Sequence, residues 1–83
     1  MHKQILFDAT IEIKGIDRKG MLLDVSKVIS DQLGINIHKI TISSDNGIFD
    51  GTIELRVHDR EEVKTIMNKL RNIDDLQEVQ RIL

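Results

Sequence analysis

Apolar and polar residues alternate from Ile5 to Lys14, with Phe7, Ala9, Ile11 and Ile13 on one side and Asp8, Thr10, Glu12 and Lys14 on the other. A period of two predicts a half-buried strand with a polar outer face. The period then lengthens. Leu22, Val25, Val28, Ile29 and Leu33 recur at helical spacing, with Asp17 placed to cap the start and Gly34 to close the end. Alternation resumes from Ile35 to Ser44, breaks at Asp45-Asn46-Gly47, and continues from Ile48 to His58. Asn-Gly is the preferred pair of a two-residue type I′ hairpin, because both central positions need positive φ. That turn sets Ile40 opposite Ile53, Ile42 opposite Gly51 and Ser44 opposite Phe49 on the apolar side. Lys39 then meets Glu54, Thr41 meets Thr52 and Ser43 meets Asp50 on the polar side. Ile35 and Ile37 fall out of phase with Ile40 and Ile42, which predicts a bulge or a loop where this strand begins.

Asp59-Arg60-Glu61-Glu62 has the form of a capping box, and Val63, Ile66, Met67, Leu70 and Ile73 give a second helix its buried stripe. Leu76 to Leu83 reads as a last, weaker strand. The order is strand, helix, strand, strand, helix, strand. Two helices on one face of a four-stranded antiparallel sheet bury both stripes and leave the polar sheet face bare. With right-handed crossovers this is an α+β, ferredoxin-like βαββαβ sandwich.

Composition narrows the classes of function. Eighty-three residues make one domain that buries roughly 60% of its unfolded surface, so association would help its stability. The 12 basic and 14 acidic residues are interspersed and leave a net charge of −2, where a domain built to grip nucleic acid would carry a basic stripe. With no cysteine there is neither disulfide nor thiolate metal site. No apolar run approaches 18 residues and no signal pattern opens the chain, so a cytoplasmic protein without membrane contact is expected. Met1-His2-Lys3 reads as an artificial start, and the chain as a fragment of something longer.

Candidate chemistry is sparse. Ser26, Ser30, Ser43 and Ser44 lack a credible His-plus-carboxylate arrangement, and His2, His38 and His58 are scattered over a terminus and two strands. Asp17 and Asp24 lie about two helical turns apart and read as a cap and a solvated acid rather than an acid–base pair. No phosphate-binding loop is present. No catalytic residue, metal site or cofactor is therefore expected. An RNA-reading sheet would stack bases on aromatics of its first and third strands, and Phe7 and Phe49 lie there. Both, however, share the parity of the apolar face and are expected in the core.

The most suggestive stretch is the glycine-bounded loop Gly15-Ile16-Asp17-Arg18-Lys19-Gly20-Met21-Leu22, between the first strand and first helix. Two close glycines let the backbone turn sharply at a helix N-terminus, where free N–H groups favour a carboxylate. Asp17-Arg18-x-Gly20-x-Leu22, followed by Gly34-x-Asn36-Ile37 and an Asn-Gly hairpin, resembles an ACT domain over nearly the whole chain. The run from Gly15 to Val25 is most similar to the C-terminal ACT domain of Rel/SpoT-type (p)ppGpp synthetase/hydrolases (GTP pyrophosphokinases).

The resemblance implies that residues 1–83 are a single regulatory ACT domain of a larger protein whose catalytic domains lie elsewhere. It implies side-by-side pairing into a homodimer with an amino acid bound at the interface. The candidate ligand-binding residues are Gly15, Ile16, Asp17, Gly20, Met21 and Leu22, with Asn36 and Ile37 supplied by the partner. Backbone amides of residues 20–22 suit a carboxylate, Asp17 an ammonium group, and Met21 and Ile37 a branched-chain side chain. A different class of function stays open beside it. The domain would then be an interaction and dimerisation module that docks on the catalytic domains, on tRNA and the ribosome, or on a second copy.

Overall fold

The computed structural model describes residues 6–31 and 36–83. It consists of β1 (Phe7–Ile16), α1 (Met21–Ser30), β2 (Asn36–Asp45), β3 (Ile48–Val57), α2 (Arg60–Arg71) and β4 (Leu76–Arg81). The four strands form one antiparallel sheet in the order β2-β3-β1-β4, so the chain folds as the ferredoxin-like sandwich that its periodicity predicts.

The hairpin has the expected register. Ile40 pairs with Ile53, Thr41 with Thr52, Ile42 with Gly51 and Ser44 with Phe49. Asn46 and Gly47 both take positive φ, 51° and 78°, as a type I′ turn demands. The phase break is a bulge: pairing slips between Ile37 and Lys39, which leaves His38 as the extra residue.

Ala9, Ile11 and Ile13 of β1, and Phe49, Ile53, Leu55 and Val57 of β3, point into the core. Met21, Val25 and Ile29 of α1 meet them there, as do Val63, Ile66 and Leu70 of α2. The opposite sheet face is polar, with Gln80 donating to Glu12 at 2.9 Å and Arg56 reaching Asp8 at 3.4 Å. Among the described residues no polar or charged side chain is buried, and no helix is long and apolar enough to cross a membrane.

Helix α2 starts as its sequence directs. The Asp59 carboxylate accepts from the Glu62 N–H at 3.0 Å, while the Glu62 side chain reaches back to the N–H of His58. The exchange is that of a capping box, displaced by one residue on its return leg.

Three expectations are corrected. Phe7 is 54% exposed rather than in the core, because as the first residue of β1 it lies at the rim of the helix layer, beside the start of α2. Leu22 is 50% exposed, because α1 buries the i, i+4, i+8 stripe of Met21, Val25 and Ile29 and turns its neighbour outward. Asp17 does not cap α1; Gly20 is the N-cap and no side chain caps it. Leu33 and Gly34 lie outside the described residues, and α1 ends at Ser30 with Asp31 as its C-cap.

Candidate functional site

The loop between β1 and α1 is closed by a hydrogen bond from the Met21 N–H to the Arg18 carbonyl at 3.2 Å. Gly20 has φ 87° and ψ −2°, the left-handed geometry of the third residue in a type II turn, which is open to glycine and strained for a side chain. The α1 ladder begins with Asp24 N–H to Gly20 O at 2.9 Å. The first-turn N–H groups of Leu22 and Leu23 precede that ladder and are left for an outside acceptor.

A groove of about 630 Å³ opens beside this turn, between α1 and the β2–β3 hairpin. That volume lies in the range of small-molecule sites. Met21 and Phe49, both buried in the core, form its floor, and Leu22 and Leu23, 50% and 63% exposed, its rim. Ile42 adds apolar surface, while Asp17, Arg18, Ser26 and Ser44 supply polar atoms. The Ser44 hydroxyl donates to the Asp17 carboxylate, and the Asp17 N–H donates to Gly47 O at 2.9 Å. Asp17 thus ties the loop to the hairpin end.

Arg18 borders the groove, but its guanidinium partners Asp24, Asp74 and Asp75 do not line it. Its guanidinium bonds Asp24 Oδ2 at 2.8 Å, donates twice to Asp74 O at 2.8 and 3.2 Å, and pairs with Asp75 Oδ2 at 3.2 Å. Its pKa is raised above the ordinary arginine value, chiefly by the hydrogen bond to Asp24, against some desolvation, with the charges of Asp24, Asp75 and Asp74 adding. Arg18 is a staple between the loop, α1 and the turn before β4.

Of the residues singled out in the sequence, Asp17, Gly20, Met21 and Leu22 come together in the groove. Gly15 and Ile16 do not line it. Gly15 is buried against the turn before β4, where a Cβ would stand 2.3 Å from Asp75 O, and Ile16 donates to that same carbonyl at 2.8 Å. Asn36 and Ile37 begin β2, while Ser44 near its end borders the groove. Eight residues of extended chain separate Asn36 from Ser44, about 25 Å. Within one copy, Asn36 and Ile37 therefore start β2 well away from the groove.

Sequence reasoning missed Leu23, Ser26, Ile42, Ser44 and Phe49. The pairing of Ser44 with Phe49 was the available signal, since it sets that end of the hairpin beside the loop.

The ACT domain family profile matches residues 3–81, and the chain belongs to the ACT domain family. The chain is 28% identical over 79 residues to the guanosine-3′,5′-bis(diphosphate) 3′-pyrophosphohydrolase of Spiroplasma citri, covering 93% of this chain and 10% of that protein. It thus spans about a tenth of the length of that curated relative. The crystal structure of the ACT domain from the GTP pyrophosphokinase of Chlorobium tepidum matches with a TM-score of 0.87 and 32% identity. The match covers 94% of this chain and all of that one. A homoserine dehydrogenase from Thiobacillus denitrificans shares the fold, with a TM-score of 0.73 at 17% identity over 95% of this chain and 17% of that one.

Proposed function

We propose that this ACT domain is a non-catalytic regulatory module of a bifunctional (p)ppGpp synthetase/hydrolase, a GTP pyrophosphokinase, and that it senses amino acids in the stringent response. The observation that carries the sensing role is the groove at the start of α1. Uncapped amides of the first turn suit a carboxylate, Asp17 suits an ammonium group, and Met21, Leu22, Leu23 and Ile42 suit an aliphatic side chain. The similarity to the Spiroplasma citri and Chlorobium tepidum proteins supports the parent enzyme. A ligand acts on that enzyme only through differential affinity for two of its states.

The test is a titration of the ¹⁵N-labelled domain with each of the twenty amino acids. Saturable amide shifts are expected at Asp17 and Gly20–Leu23. Gly20→Val and Asn36→Ala should keep the secondary structure and abolish the shifts; unchanged binding in both rejects the site.

One observation favours a second reading. The Asp17 carboxylate meant for an ammonium group already accepts from the Ser44 hydroxyl, which ties the loop to the hairpin without a ligand. In this reading the domain is an interaction and dimerisation module that docks on the catalytic domains or, through them, on tRNA and the ribosome. An absence of shifts at millimolar amino acid selects it.

A further inference from the structure

We propose that Arg18 is a positioning residue that couples the turn between α2 and β4 to the first turn of α1. The two turns are more than fifty residues apart in sequence. The α1 turn opens towards the β2 edge of the sheet and the other turn abuts β4 at the opposite edge.

Arg18 holds both. Nη2 bonds Asp24, the residue that starts the α1 ladder, and the same nitrogen donates to Asp74 O at 2.8 Å. Nε reaches Asp74 O at 3.2 Å and Asp75 Oδ2 at 3.2 Å. The planar fork makes these contacts at once, which a lysine ammonium cannot reproduce.

The far turn is a fitted element. Asp75 adopts φ 70°, a left-handed conformation uncommon outside glycine. Its carbonyl accepts from the Ile16 N–H and fills the space a Gly15 side chain would need. Such a turn has few arrangements, so a change in its grip on Arg18 is felt at Asp24, and through Asp24 at Leu22 and Leu23 on the groove rim. Where the groove takes an amino acid, which rests on the reading above, residues 72–75 become the place where occupancy is felt on the far edge. The coupling itself needs no ligand.

A double-mutant cycle on the ¹⁵N-labelled chain tests it. Asp75→Asn removes the charge that Nε faces and keeps the shape. It is expected to shift the amides of Leu22, Leu23 and Asp24 when Arg18 is present, to shift them less than half as far in Arg18→Gln, and to an intermediate extent in Arg18→Lys. Asp24→Asn should weaken the transfer in the same way. Equal shifts with and without Arg18, or none in either background, overturn the proposal. If Arg18→Gln loses spectral dispersion, the Arg18→Lys cycle decides: a smaller shift than in wild type supports the coupling and an equal shift overturns it. In a parallel amino-acid titration, shifts at 20–23 without any at 74–76 count against the coupling. A titration silent at 20–23 rejects the amino-acid reading, while the mutant cycle still decides the coupling.

Discussion

Gly15 and Gly20 sit five residues apart and do different work. Gly20 needs its positive φ to close the turn into α1, whereas Gly15 leaves room for Asp75 O, 2.3 Å from where a Cβ would stand. A backbone carbonyl held by Ile16 cannot swing aside as a side-chain end can. Gly15→Ala should therefore destabilise the domain by about 1–3 kcal/mol, the usual range for overpacking. In a domain this small each kcal/mol lowers Tm by roughly 4–8 °C, which thermal unfolding by circular dichroism reads directly. A wild-type Tm in Gly15→Ala would mean that the turn yields. Arg18 makes a similar point. As one letter it reads as a surface charge, yet its side chain is 27% exposed and bonds both α1 and the turn before β4.

At the level of elements, hydrogen bonds local in sequence set the boundaries. Asp59 starts α2 by accepting from Glu62, and two acids in the first turn suit the helix dipole. Asp59→Ala should cost about 1 kcal/mol, seen as a lower urea midpoint with an unchanged m-value; an unaltered midpoint would assign the helix start to Glu62 and His58. The α1 N-terminus is the contrast. Gly20 supplies no capping oxygen, and the carboxylate of Asp17 turns to Ser44 instead. An uncapped helix start beside an apolar groove is less stable by itself and more receptive to an anion.

At the level of the whole molecule, the sheet has β2 as a free edge, with the groove rim of Leu22 and Leu23 on the same side. Residues that would complete the groove, Asn36 and Ile37, begin that same strand. The proposed sensor therefore requires two copies. Sedimentation equilibrium should show a dimer with a micromolar or tighter Kd, strengthened by any amino acid that binds, since a ligand held between copies stabilises them by mass action. A monomeric mass at all concentrations, with or without amino acid, would remove the shared site.

What the chain determined by itself is what neighbours in sequence decide. Alternation assigned β1 and β3 their buried faces, Asn46-Gly47 set the register of the hairpin, and the phase break before Ile40 announced the bulge at His38. Asp59 and Glu62 marked the start of α2. Each of these rests on side-chain period or on turn chemistry within a few residues. The loop from Gly15 to Leu22 could be picked out as the candidate site, and four of the candidates it supplied, Asp17, Gly20, Met21 and Leu22, do meet in the groove. Tertiary structure decided the rest. Parity assigned Phe7 to the apolar face, but only the reach of the helix layer left it exposed. The rotation of α1 sent Leu22 to the groove rim rather than the core. Arg18 acquired Asp74 and Asp75, and Asp17 acquired Ser44, from segments distant in the chain. No period or spacing encodes such meetings, because they follow from how the packed layers bring the ends of separate elements together.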